Sequence, residues 1–219
     1  MTNPDRTLIA VLLDRSGSMQ SIKSDTEGGF AAYMEQQREV PKRIEVTLAQ
    51  FDTEYQLVYA NRPLAEVPPL NLQPRGMTAL YDAVGRLVTD TGAELAARGA
   101  DDRPGTVIVV VLTDGHENSS AEWTHDAVKA LITQQQEVYK WNFLFLGANM
   151  DAVAIGTRMG FSPTDSITYA AAPQGVSGVF RAASAYSARL QEGPEARSHA
   201  RRGKRGFTDA ERQQSNPGE

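Results

Sequence analysis

The sequence predicts an α/β domain: a mainly parallel central sheet with helices on both faces and one antiparallel edge strand. Three observations predict it. Thr7 to Leu13, Thr106 to Leu112 and Asn142 to Leu146 are almost continuously apolar, as strands buried on both faces must be. Stretches with helical spacing separate them, the alternation that builds parallel sheets. One stretch alternates instead: Arg43 to Phe51 sets Ile44, Val46 and Leu48 against Glu45, Thr47 and Gln50. A tight turn at Asp52-Thr53-Glu54 then leads into Tyr55 to Ala60, the second arm of a hairpin.

The remaining elements follow in order. Ile22 to Arg38 has helical character, weakened in its middle by Gly28-Gly29. Pro63 to Pro74 is a proline-rich connection and must be a loop. Thr78 to Ala97 places Leu80, Val84, Leu87, Val88 and Leu95 at helical spacing. Trp123 to Tyr139 reads as a helix, Asp151 to Met159 as a short helix, and Ser166 to Ala170 as a short strand. Gly175 to Leu190 is the last good helix, with Val176, Val179, Phe180, Ala183 and Leu190 on one stripe. The domain is therefore expected over residues 1–191. Residues 192–219 are rich in Arg, Gly, Gln and Ser, with Phe207 as the one large apolar group, and read as a polar, flexible tail.

Composition narrows the function. Hydrophobic residues are 41% and charged residues 22%, ordinary for a soluble globular protein. A net charge of −5 disfavours a dedicated nucleic-acid binder, and 7% aromatic residues disfavour a stacking platform for single strands. The absence of cysteine excludes disulfides, thiolate metal sites and a cysteine nucleophile together. His116, His125 and His199 are scattered without the spacing of a zinc enzyme. Leu8 to Leu13 is too short for a secretory signal core, and no run approaches a membrane span, so a cytoplasmic location is expected.

Ligands of a parallel α/β sheet gather beyond the carboxyl ends of the strands. Two apolar strands end there in aspartate, Leu12-Leu13-Asp14 and Leu112-Thr113-Asp114. After the first comes Arg15-Ser16-Gly17-Ser18, whose glycine permits a tight turn that aims two hydroxyls at the aspartate. An all-oxygen site of carboxylates and hydroxyls suits a hard cation such as magnesium or manganese. Two carboxylates balance one divalent ion, and neutral hydroxyls leave it open to an incoming anion. Helix capping by Asp14 and Asp114 would account for the aspartates but not for the hydroxyls.

Asp14-x-Ser16-x-Ser18, Gly76-x-Thr78 and Thr113-Asp114-Gly115 together resemble the metal-ion-dependent adhesion site of von Willebrand factor A domains. The resemblance extends to the order of strands and helices over residues 5 to 190. It implies a Rossmann-like fold and a metal held by Asp14, Ser16, Ser18, Thr78 and Asp114. The hydroxyls of Ser16, Ser18 and Thr78 would contact the ion directly, and the two aspartates directly or through water. Magnesium is the implied ion, with manganese or calcium as alternatives. The implied function is capture of an Asp or Glu side chain of a protein partner, without enzymatic activity. Short stand-alone bacterial members, in the manner of tellurite-resistance-associated proteins, are the type most similar. The family also implies that the last helix can shift, although a helix that simply closes the domain is the plainer expectation.

Other readings were weighed against the same residues. A haloacid-dehalogenase-type phosphotransferase would use Asp14 as nucleophile, but it needs a lysine before the last aspartate and none lies between Thr78 and Asp114. Gly175-Val176-Ser177-Gly178 lacks the nucleophile elbow of a serine hydrolase. Tyr81, Asp82, His116, Glu117, Asn118, Asn149 and Asp151 stand near the expected crest, where caps and loop contacts are their ordinary roles. Arg201-Arg202-Gly203-Lys204-Arg205 reads as solvated tail.

Overall fold

The computed structural model describes residues 2–192 and 206–217. Six strands form one sheet: β1 (Asn3–Asp14), β2 (Arg43–Phe51), β3 (Tyr55–Pro63), β4 (Pro104–Thr113), β5 (Asn142–Ala148) and β6 (Ser166–Tyr169). Their order is β3-β2-β1-β4-β5-β6, and only the β2–β3 pair is antiparallel. The expected sheet is therefore the observed one, edge hairpin included.

The helices are α1 (Lys23–Arg38), α2 (Leu80–Ala97), α3 (His125–Glu137), α4 (Ala152–Arg158), α5 (Pro173–Gln191) and α6 (Asp209–Ser215). Strand alternation splits the core into two apolar layers. Leu13, Leu112, Leu146 and Ile167 pack with Phe30, Tyr33, Val179 and Phe180 on the α1/α5 face. Leu12, Val111 and Phe145 pack with Leu80, Val84, Val128 and Ile132 on the α2/α3 face. Residues of one row across the sheet thus share a face, and neighbouring rows face opposite ways.

Three expectations shift. Gly28-Gly29 does not interrupt α1, because Gly29 lies where a Cβ would sit 2.2 Å from the Phe180 ring; the glycine lets α5 approach. α2 begins at Leu80 rather than Thr78, leaving Thr78 on the loop before it. α3 begins at His125 with Thr124 as its cap, because the N–H groups of Ala121, Glu122 and Trp123 are taken by the Asp82 carboxylate.

Within the stretch expected as a tail, residues 206–217 pack on the domain. Phe207 is buried edge-on against Tyr186, and Glu211 forms a forked ion pair with Arg189 at 2.7 and 3.0 Å. Arg212 donates to the carbonyls of Ser166 and Thr164, and the Ala170 N–H donates to the Ser215 carbonyl. A Thr208–Glu211 capping box starts the short helix. The segment covers the outer side of β6 and fastens the end of α5. The basic cluster at residues 201–205 lies outside the described residues.

Candidate metal centre

β1 and β4 are neighbours, with Leu13 paired to Leu112, so Asp14 and Asp114 emerge side by side at the carboxyl edge. Asp14 is fully buried. One of its carboxylate oxygens accepts the Ser16 N–H at 2.6 Å, which closes the turn after β1. The other accepts the Thr113 hydroxyl at 2.5 Å. From there a chain of polar groups leads outward. The Ser16 and Ser18 hydroxyls lie 3.1 Å apart, and Ser18 donates to Asp114 at 2.7 Å. Ser16 is buried, Asp114 half-buried and Ser18 exposed, so the cluster opens to solvent on one side.

Thr78 joins from a third loop. Its N–H donates to the Asn118 side chain at 2.9 Å, and the Asn118 N–H returns a bond to the Thr78 carbonyl at 3.1 Å. A Cβ on Gly115 would come within 2.6 Å of the Thr78 hydroxyl, so glycine lets that hydroxyl stand against the loop that follows Asp114. The structure therefore brings Asp14, Ser16, Ser18, Thr78 and Asp114 to one place.

A second set of residues, not foreseen from the sequence, ties the three loops together. The Arg15 N–H donates to the Phe51 carbonyl, the Arg75 N–H to the Arg15 carbonyl, and the Gly17 N–H to the Gly76 carbonyl. Asp52 is their hub. Its carboxylate receives Arg15 Nε and Arg75 Nε, both at 2.8 Å, and its carbonyl receives the Ala79 N–H at 2.9 Å. Arg15 also bonds Gln56. The available signal was position: Asp52 follows β2 as Asp14 closes β1.

The neighbouring polar residues hold loops. Glu117 accepts the N–H groups of Tyr81, Ser119 and Ser120. Asp151 caps α4 by accepting from Ala154 N–H, and Asn149 accepts the Ala171 N–H. His116 is exposed, and His125 lies beside Asp126.

Electrostatics set the two site carboxylates apart from ordinary ones. Burial pushes the Asp14 pKa up to about 6, against the opposing hydrogen bonds from Thr113 and Ser16, and Asp114 adds a small like-charge push. Burial also raises Asp114, despite the bond from Ser18. Among the described residues no cation pairs with either. A divalent ion fits this donor set, since it would relieve both charges while the hydroxyls supply neutral oxygens. Among the described residues no group of three or more His, Cys, Asp or Glu side chains could hold a metal, so the hydroxyls are indispensable to any such site.

No protein-family model matches this sequence, and no curated protein does. Solved structures do match in fold. The mussel-byssus proximal thread matrix protein 1 with a zinc-occupied metal-ion-dependent adhesion motif is 12% identical, with a TM-score of 0.61 over 86% of this chain and 47% of that one. A von Willebrand factor type A structure from Catenulispora acidiphila is 14% identical, with a TM-score of 0.56 over 84% of this chain and 43% of the other. The von Willebrand factor domain of the Porphyromonas gingivalis pilus tip protein Mfa5 is 10% identical, with a TM-score of 0.57 over 88% and 98%. The chain thus spans about half the length of several of these proteins. The shared fold is that of von Willebrand factor A domains. Among the described residues no helix is long and apolar enough to cross a membrane.

Proposed function

We propose that this chain is a divalent-metal-dependent protein-binding module whose metal-ion-dependent adhesion site is intact. The observation that carries the reading is the linked set Asp14–Ser16–Ser18–Asp114 with Thr78 beside it, closed toward the core and open toward solvent. Ser16, Ser18 and Thr78 would hold the ion through hydroxyls, and Asp14 and Asp114 would supply its counter-charge. Magnesium suits these oxygens best, with manganese or calcium as alternatives. The zinc in the byssus protein's motif supports divalent-metal use by this fold.

When bound, the ion offers an electrophilic position at the solvent face, and an Asp or Glu carboxylate of a protein partner is the ligand that matches it. The chain's own residues exclude water from the inner side and hold the hydroxyls in place. The phosphotransferase alternative is weakened by the same geometry. Asp14 would have to act there as a nucleophile from a buried position, and the lysine that chemistry needs is absent between Thr78 and Asp114. We therefore read the chain as a non-enzymatic module. A bacterial type working in the cytoplasm, similar to tellurite-resistance-associated proteins, is part of the proposal.

Thermal unfolding during titration with Mg2+ and Mn2+ tests it. A ligand selective for the native state raises the melting temperature, by about 2.7 kcal/mol of stabilisation at a hundredfold excess over Kd. Asp14→Ala and Asp114→Ala should both remove the rise. A response that survives in both variants would place the metal elsewhere.

A further inference from the structure

Tyr169 closes β6, and its side chain is fully buried in the α1/α5 layer. Among the described residues no group accepts from or donates to its hydroxyl. Tyr33, buried in the same layer, meets the Ser187 hydroxyl at 2.8 Å. A buried orphan hydroxyl is costly, so its position calls for a reason.

Sheet register supplies one. Thr113, Gly147 and Thr168 form one row across β4, β5 and β6. The next row pairs Ala148 with Tyr169, both in the α1/α5 layer, and Asp114 follows Thr113 beyond the end of the strand beside them. Two strand spacings separate Asp114 from Tyr169, about 9.6 Å. Ala148 between them carries only a methyl group, so the tyrosine ring can lean across it toward the site. Burial is the main reason the hydroxyl holds its proton well above the usual tyrosine range. The charges of Asp114 and then Asp14 add to it, which places the hydroxyl within reach of their field.

We propose that Tyr169 is a positioning residue of the metal site, its hydroxyl donating through one bridging water to Asp114 on the side facing the core. A proton donor there stabilises the ionised carboxylate and fixes its orientation toward the ion, from a strand that contributes no metal ligand. Water bridges of this kind are nearly as good enthalpically as direct bonds. The inference rests on the metal-binding reading above and deepens it.

The experiment uses the full chain, Mn2+ alone as probe, and calorimetric titration of wild type, Tyr169→Phe and the control Tyr33→Phe. Mn2+ affinity should fall about three- to tenfold in Tyr169→Phe. Its metal-free fold should remain intact, since the change removes one oxygen and leaves the ring packing in place. Tyr33→Phe should lose stability but keep its affinity. In wild type, Mn2+ should also produce a tyrosine ultraviolet difference spectrum that Tyr169→Phe lacks. Unchanged affinity and an unchanged difference spectrum in Tyr169→Phe would overturn the role while leaving the metal site standing. A wild type that takes up no Mn2+ would overturn the metal-binding reading itself, and this inference with it.

Discussion

Two aspartates stand at the ends of adjacent strands, and their environments are opposite. Asp14 closes β1 and Asp52 follows β2, one step beyond the Asp14–Phe51 pair. Both are buried, at 0% and 2% exposure. Burial alone would raise both pKa values. At Asp52 that push is outweighed by the Glu54 N–H and by the Arg75 and Arg15 guanidiniums, so its carboxyl sits below the usual range. At Asp14 burial outweighs the hydrogen bonds from Thr113 and Ser16, so the carboxyl rises to about 6. One carboxylate already has its counter-charge and holds loops. The other has none among the described residues, and that separates a binding site from its scaffold.

The largest effect should come from breaking the satisfied member. Asp52→Ala leaves Arg15, itself buried, without its carboxylate. Removing one partner of a buried ion pair costs about 3–5 kcal/mol. Urea unfolding should show a loss near the lower end, because Arg75 is largely exposed and rehydrates easily. A loss below about 1 kcal/mol would mean that backbone bonds alone hold the three loops.

The unsatisfied member should respond with the opposite sign. A raise from 3.8 to about 6 corresponds to about 3 kcal/mol of strain in the ionised, metal-free protein. Asp14→Asn should therefore unfold later than wild type in chelator at pH 7.5, by about 2 kcal/mol once relaxation is allowed for. It should also lose the metal-induced gain. A variant less stable than wild type in chelator would show that the hydrogen bonds to Asp14, not its burial, dominate.

The pH dependence sharpens the contrast. The folded pKa of Asp14 lies above its unfolded value, so the native state binds the extra proton between about pH 4 and 6. Metal-free stability from this group should rise as pH falls through that window, and saturating metal should remove the effect. Asp52 runs the other way: its pKa is depressed, so its contribution is complete above about pH 4 and is lost on further acidification. Denaturant midpoints for wild type and Asp14→Asn in chelator, from pH 4 to 8, should diverge from about pH 4 upward and run parallel above about pH 6.

Most of this crest was legible in the sequence because its chemistry is contiguous with the strand ends. Asp14 and Asp114 terminate apolar runs, and Ser16 and Ser18 follow within one turn. Asp52 was not legible in its role, since Asp52-Thr53-Glu54 looks like any hairpin turn and Arg75 lies 23 residues away. Tyr169 was hidden for a similar reason: only strand order sets β6 two places from β4. The docked C-terminal segment was hidden differently. Thr208-x-x-Glu211 is a capping box, beside a lone Phe207, in a stretch of otherwise low hydrophobic content. It is held by the Arg189–Glu211 ion pair, the Phe207–Tyr186 contact and the carbonyls of Ser166 and Thr164, which composition does not reveal.

The smallest effect should come from Arg75, and its smallness is the sharpest test of how the scaffold divides its work. Its side chain is 57% exposed, and its guanidinium bonds Asp52 and Glu54 across solvent. Exposed pairs of this kind contribute little and are screened by salt. The backbone N–H of Arg75, which ties its loop to the Arg15 carbonyl, survives any side-chain change. Arg15, buried against Asp52, still neutralises that carboxylate. Arg75→Met should therefore lower the melting temperature by no more than about 2 °C, with the difference shrinking further in 0.5 M salt (roughly a 4 Å screening length). Affinity for Mg2+ should stay within about twofold of wild type. A large loss of affinity with little loss of stability would instead move Arg75 out of the scaffold and make its charge part of how the threonine loop is set against the metal site.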